Sequence, residues 1–433
     1  MGMIGVSIVG IGMGVPGSET VRAREAICGA DVLGGARRMI DAAQAIRAAQ
    51  GAGEAEAVEL GMPAKVAAFI IDCAARNEGR PDPLGIAVIC SGDTGFYSLA
   101  TPLREELRSS GFEQDIEMIP GITTVQHLAA KLGKPWQDCR LVSAHGRTVN
   151  VVGEVLSSPE TFFLGGGTEM PDSIARRLVD AGLGFVDMAV GVNLSYPDEL
   201  IVRGTADEIA QTEFSPLAAV WVSRGRLCAP EVEECVGFPG IPDDLFLRGD
   251  VPMTKRDVRA AIAARVRPRD NERIVDIGAG TGSVSIELAC LNPRAYVVAV
   301  EENHGACELI RANRERFGAY NVEVVEGRAP EALGPMPVAD TVFIGGSTGE
   351  LESILDAYAS NSGCRRIIMT AVTLETLARA TTALERLRGQ GCVESYDVTE
   401  VSVARTRELG SHHLLRAENP VFIIEASVRV VIM

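Results

Sequence analysis

Short apolar runs alternate with amphipathic stretches along the whole chain. Residues 5–9, 84–90, 116–119, 140–143, 161–164, 185–190 and 217–222 read as buried strands. Between them, residues 19–28, 62–77 and 99–108 carry helical spacing, with Ser18 as the cap of the first helix. Residues 42–60, rich in Ala, Gln and Glu, predict exposed helix or loop. Strands alternating with helices predict an α/β protein with parallel sheets. The apolar run near the N-terminus lacks a basic start and a small-residue cleavage site, so it reads as a first strand and a cytoplasmic chain is expected.

The same alternation resumes after residue 240. Strands are predicted at 273–277, 296–300, 322–325, 340–344 and 366–370, with helices at 254–265, 283–291 and 304–317. Thr254 is the expected cap of the first of these helices, with Asp257 at the capping-box position. Residues 393–404 and 421–431 suit a terminal antiparallel pair. Residues 223–239 carry Gly, Pro and acids and read as a linker.

The chemistry gathers where strands end. Strand 273–277 runs into Gly278-Ala279-Gly280-Thr281-Gly282, and the next strand ends in Glu301. Glycines allow positive φ and leave the backbone bare for a ligand. An acid at the tip of the next strand accepts hydrogen bonds from the ribose hydroxyls of an adenosine. A dinucleotide fingerprint, G-x-G-x-x-G or A, needs Gly or Ala at 283, where Ser283 stands. The G-x-G-x-G pattern after Asp276 instead resembles motif I of class I S-adenosylmethionine-dependent methyltransferases.

The first half holds its glycines differently. Gly10-Ile-Gly12-Met-Gly14 follows the first strand, and Val15 breaks the dinucleotide pattern there. S-G-D-T-G-F-Y-S (91–98), P-G-I-T-T-V (120–125), A-H-G-R (144–147) and G-G-T-x-x-P (166–171) follow in order. Together these resemble the class III tetrapyrrole methyltransferases over roughly residues 3–222. That resemblance implies two α/β lobes with S-adenosyl-L-methionine between them, held near Gly10, Asp93, Thr94 and Thr123. Asp93 equally suits an Asx turn, and Thr123 a helix cap. His145 is either an acid–base group or a structural histidine.

The run G-I-P-D-D-L-F-L-R-G-D-V-P-M-T-K (240–255) and D-T-V-F-I-G-G-S (340–347) resemble the decarboxylating precorrin methyltransferases. The expected organisation is a class III domain at 1–222, a linker at 223–239, and a class I Rossmann-like domain at 240–433 with a mostly parallel seven-stranded sheet. The resemblance implies methylation of a precorrin at C5 and C15 with loss of an acetate carboxylate, in cobalamin biosynthesis, with one S-adenosyl-L-methionine per domain. It places Thr254, Gly278, Ala279, Gly280, Thr281, Gly282, Glu301 and Ala329 at the second cofactor site. It also suggests a homo-oligomer formed through the C-terminal domain. The family carries Asp where this chain has Arg328, so the Ala329 backbone is the firmer contact. Gly345 and Gly346 either admit the macrocycle or simply turn the chain. Arg248, Lys255, Arg259, Arg405 and Arg407 are candidate carboxylate binders or solvated charges.

Composition narrows the partners. A formal net charge of -17 argues against nucleic acid, which needs a basic face. No apolar run approaches the ~20 residues of a membrane span. The ten cysteines contain no CxxC pair and the five histidines no metal spacing, so no metal is expected. Two rival readings are a methyltransferase for RNA or protein, and a chain in which one half only binds.

Overall fold

The computed structural model of the chain describes residues 3–79, 81–144, 148–166, 169–333, 339–360 and 363–429. Contacts divide it into two compact units, one of residues 1–148, 160–174 and 187–222, the other of 149–159, 175–186 and 223–433.

The first unit holds two five-stranded sheets, the two-lobed α/β arrangement expected. Strands β1 (Ile4–Gly10), β2 (Val32–Gly35), β3 (Glu56–Glu59), β4 (Leu84–Cys90) and β5 (Ile116–Ile119) form the first, in the order β3-β2-β4-β1-β5 and all parallel. Because they are parallel, the chain leaves β1, β4 and β5 at one common end, through Gly10, Gly92 and Gly121. Strands β6 (Arg140–Ser143), β7 (Glu160–Leu164), β8 (Asp187–Val192), β9 (Leu200–Thr205) and β10 (Ala218–Ser223) form the second, in the order β6-β7-β10-β8-β9. Trp221 and Phe162 of this sheet are buried in one cluster with Leu128 of the helix Thr124–Leu132.

The second unit is built on a seven-stranded sheet. It contains β11 (Arg273–Ile277), β12 (Tyr296–Glu301), β13 (Val322–Glu326), β14 (Thr341–Ile344), β15 (Arg366–Ala371), β16 (Val393–Val401) and β19 (Val421–Val428), ordered β13-β12-β11-β14-β15-β19-β16. The first five are parallel, and β19 pairs antiparallel with β15 and β16. The chain winds outward from β11 through β12 to β13, then returns to β14 on the other side of β11. That reversal opens a crevice at the carboxyl ends of β11 and β14. Both sheet faces are apolar, as a doubly covered parallel sheet requires: Val275, Ile277 and Val342 pack on one, Ile274, Val297 and Phe343 on the other.

Several expectations differ from the structure. The first helix is Val21–Gly29, capped by Thr20, whose side chain accepts from Ala23 N. Ser18 instead donates to Val15 O. The helix expected from Thr254 is Arg256–Val266 with Lys255 at its cap and no side-chain cap bond. Residues 42–60 are not a uniformly exposed stretch: the helix Arg37–Ala49 buries Ala43 and Ile46, and β3 follows. Within residues 223–239, Val232 is fully buried in a core of the second unit. A two-stranded hairpin, β17 (Ala404–Leu409) and β18 (His412–Ala417), separates the expected terminal pair. Its exposed alternation gave no burial signal to read.

Candidate active sites

In the second unit β11 delivers the glycine loop into that crevice. Gly278, Gly280 and Gly282 all have positive φ, between +57° and +74°. A Cβ on Gly278 would sit 2.5 Å from Gly346 O, and one on Gly280 3.2 Å from Pro252 O. The β14 exit closes on the same loop, with Gly345 N donating to Ile277 O at 2.9 Å. The result is a cleft of about 1220 Å³ floored by bare backbone.

Of the expected residues, Thr254, Gly278, Ala279, Gly280, Glu301 and Gly345 line this cleft. A narrower recess beside it is lined by Gly278, Glu301, Ala329, Gly346 and Arg328. Thr281 and Gly282 line neither. Thr281 is buried, its carbonyl held by Asn313 Nδ2 at 3.0 Å, and Gly282 admits Ile310, which a Cβ would meet at 2.9 Å. Arg328 does not reach into the recess as an acceptor. Its Nη2 donates to Thr348 O at 2.8 Å and Glu350 Oε1 at 3.1 Å, tying the two loops that frame it.

Of the four carboxylates that line the cleft, Asp250, Asp276, Glu301 and Glu418, two come from the strands β11 and β12. Glu301 ends β12 and accepts from Gly280 N and Asn303 N, both at 2.9 Å, one on each oxygen. Each oxygen retains a lone pair for a further donor. Asp276 is the less obvious group. Period two puts it on the sheet face that packs the helix Ser283–Leu291, where Ser285 Oγ donates to Oδ2. Its Oδ1 is buried and has no partner. Burial, and secondarily the charge of Glu301, push its pKa up to about 7 against the pull of the Ser285 bonds. An orphaned oxygen beside a glycine cradle suits a cationic ligand, since an approaching positive charge would repay its desolvation.

The cationic candidates separate. Arg259 is fully buried and structural: it donates to Glu287 at 2.7 Å, Asp243 at 3.0 Å and Thr254 O at 2.7 Å, and lies over the Phe246 ring. Arg248 does not line the cleft, whereas Lys255, Arg405, Arg407 and Arg416 do. The last three come from the hairpin. Arg416 was not foreseen, because its role depends on β17 facing β18.

In the first unit the strand exits are knit together by backbone. Gly12 and Gly92 exchange two hydrogen bonds of 3.0 Å. A Cβ on Gly10 would lie 2.7 Å from Gly92 O and 2.8 Å from Gly121 N. Asp93 bridges these loops, accepting from Gly95 N at 2.7 Å and Gly121 N at 3.1 Å. Thr123 forms a capping box with Gln126 at the start of the helix Thr124–Leu132. Thr94 is buried. Gly10, Asp93 and Thr123 therefore shape the loops. The cavity itself, about 100 Å³, is lined by their neighbours Gly12, Ser91 and Thr124 and by Gly165, Gly191 and Tyr196. His145 lies outside the described residues. Among the described residues, no group of three or more His, Cys, Asp or Glu could hold a metal ion, and no helix is long and apolar enough to cross a membrane.

Comparison with known proteins matches both halves. A model for the precorrin methyltransferase domain matches residues 244–427, and one for tetrapyrrole (corrin/porphyrin) methylases matches residues 5–210. A probable cobalt-precorrin-6B C(15)-methyltransferase (decarboxylating) of Pyrobaculum calidifontis is 41% identical over 191 residues, 43% of this chain and 95% of that protein. The chain belongs to the precorrin methyltransferase family. A precorrin-6Y C(5,15)-methyltransferase [decarboxylating] of Sinorhizobium sp. is 29% identical over 350 residues, 79% of this chain and 78% of that protein. The crystal structure of a precorrin-6Y C5,15-methyltransferase from Geobacter metallireducens GS-15 aligns at 40% identity and a TM-score of 0.40, covering 43% of this chain and 96% of that one. In this family member the class I glycine loop and the class III glycine loops thus lie on one polypeptide.

Proposed function

We propose that the chain methylates a precorrin macrocycle at C5 and C15 and decarboxylates its C12 acetate, using one S-adenosyl-L-methionine in each of two domains, residues 1–222 and 240–433, with 223–239 between them. The observation that carries this reading is the co-occurrence of both glycine architectures on one chain, each matched by a different methyltransferase model. S-Adenosyl-L-methionine supplies an electrophilic methyl group. The chain's own part is proximity and orientation. Gly278, Ala279, Gly280, Glu301 and Thr254 would cradle the cofactor in the second domain. Gly345 and Gly346 would let the macrocycle approach the backbone, and Ala329 would border the adenine. In the first domain Gly10, Asp93, Thr94 and Thr123 would set the loops against which the cofactor folds, and His145 would act as an acid–base group. The cleft of the second domain is wide enough to hold more than the cofactor. No protein nucleophile is required: an electron-rich meso carbon of the reduced macrocycle attacks the methyl group, and the protonated, conjugated macrocycle takes up the electron pair left when carbon dioxide departs.

We further propose self-association through the C-terminal domain. Its hairpin exposes Leu415 to the extent of 74% on the face of β18 away from Arg416, an apolar contact that a second copy would cover. Sedimentation of the chain with Leu415 changed to Ser tests this, a persistent oligomer sinking it.

The activity is tested by mass spectrometry of the tetrapyrrole after incubation with S-adenosyl-L-methionine. Gain of two methyl groups with loss of one carbon dioxide is the expected result. One methyl with decarboxylation would restrict activity to the C-terminal half. An unchanged tetrapyrrole would overturn the substrate assignment.

A further inference from the structure

The hairpin wall of the large cleft carries more positive charge than the structure neutralises. Arg405, Arg407 and Arg416 all line the cleft. Arg405 and Arg407 lie two apart on β17, so they share a face, and Arg416 pairs directly opposite Arg405. Like charges directly opposite on a ladder are destabilising. Arg405 is compensated, with ion pairs to Asp257 and to Glu418, the latter at 3.0 Å. Among the described residues Arg407 and Arg416 have no hydrogen-bonding or ion-pairing side-chain partner, although most arginines of this acidic chain do. Both are exposed and line the cleft, as does Lys255 at the cap of the helix Arg256–Val266.

A two-stranded hairpin outside the main sheet is marginal by itself. Setting an uncompensated arginine against another arginine weakens it further, so packing does not explain the arrangement. An anionic ligand does. Arg407 and Arg416 are diagonal neighbours across the ladder, about 7–8 Å apart at the backbone. That spacing suits two separate carboxylates better than one, and guanidinium groups bind carboxylates bidentately. We infer that Arg407 and Arg416 read two carboxylate side chains of a polycarboxylate macrocycle in the C-terminal cleft, with Arg405 held in place by Asp257 and Glu418 as the positioning residue between them. The inference rests on the proposed substrate class and deepens it by naming specificity-determining residues.

The test uses the full chain with uroporphyrin, a stable octacarboxylate macrocycle, and its octamethyl ester as probes. Amide hydrogen exchange over residues 404–417 reads the hairpin without turnover. Uroporphyrin should slow exchange there several-fold in the unaltered chain, the ester should not, and R407A/R416A should abolish the effect. In turnover, each single variant should raise the KM for the tetrapyrrole about 10-fold, with kcat and the affinity for S-adenosyl-L-methionine unchanged. R407K should recover part of the loss. Equal protection by acid and ester, or protection that survives in R407A/R416A, overturns the inference. The two readings fail separately. Arginine-dependent protection without any methylation or decarboxylation would leave the carboxylate wall standing and remove the proposed reaction. Turnover with an unchanged KM in R407A/R416A would do the reverse.

Discussion

Gly278 and Gly346 meet backbone to backbone, and the contact is one-sided. A Cβ on Gly278 would lie 2.5 Å from Gly346 O, whereas a Cβ on Gly346 would meet only Gly278 Cα, at 3.9 Å. Gly278 also sits at φ +69°, where a side chain costs about 1–2 kcal/mol before any clash. Gly278→Ala should therefore destabilise the second domain by about 2 kcal/mol or more in urea denaturation and weaken cofactor binding. Gly346→Ala should change stability by less than about 0.5 kcal/mol. Equal losses would mean that the loops do not meet as described.

Asp276 makes stability and cofactor binding depend on pH in opposite directions. Burial raises its folded-state pKa to about 7 from the ordinary 3.8 of an aspartate. Between those values the folded state holds a proton that the unfolded state has released. Its contribution is therefore fully present below about pH 4 and is lost as pH rises through about 7, on the order of 4 kcal/mol at most. Asp276→Asn should raise the Tm of the cofactor-free chain at pH 8 and leave it unchanged at pH 4. Affinity for a sulfonium ligand should rise with pH through 7 in the unaltered chain and lose that dependence in Asp276→Asn, as titration calorimetry can show.

Arg259 and Glu287 are both fully buried and bonded at 2.7 Å. Removing the arginine would strand a buried carboxylate that also holds Gly240 N and Ile241 N. Arg259→Ala should cost about 3–5 kcal/mol in chemical denaturation. The double variant R259M/E287Q should recover part of that loss. A variant that kept its stability and lost only substrate affinity would restore Arg259 to a binding role.

Glu199 ties the loop after β8 to the helix Thr124–Leu132. It accepts from Ser195 N at 2.6 Å, His127 Nε2 at 2.8 Å and Lys131 Nζ at 2.5 Å. Burial alone would raise its pKa, but the Lys131, Ser195 and His127 bonds outweigh that and hold it down at about 2. A depressed pKa contributes stability above about 4.5 that is lost as pH falls through 2, up to about 3 kcal/mol. Glu199→Gln should lower the Tm at pH 7, and the gap should narrow steadily below pH 4.5. A constant gap would show that charge is not what holds the loop.

Much of this protein was legible in one dimension. Apolar runs bounded by glycine located Arg273–Ile277, Ile116–Ile119, Ser283–Leu291 and His304–Phe317 at their observed ends. Hydrophobic period and turn chemistry are local, so they survive in the sequence. The glycine loop and Glu301 were legible for the same reason: a strand, its turn and the tip of the next strand lie within about thirty residues. Capping was less secure, since Ser18 and Thr254 have the right chemistry but Thr20 and Lys255 have the observed cap geometry.

What the tertiary structure alone decided concerns partners distant in sequence. Arg259 and Arg407 are indistinguishable as residues in a string. One is buried by Glu287, 28 positions on, and the other stands uncompensated because β17 and β18 turn its face to the cleft. Local periodicity determines which segments become strands and helices. Desolvation and charge compensation, which settle what each side chain can do, exist only once the segments are packed together.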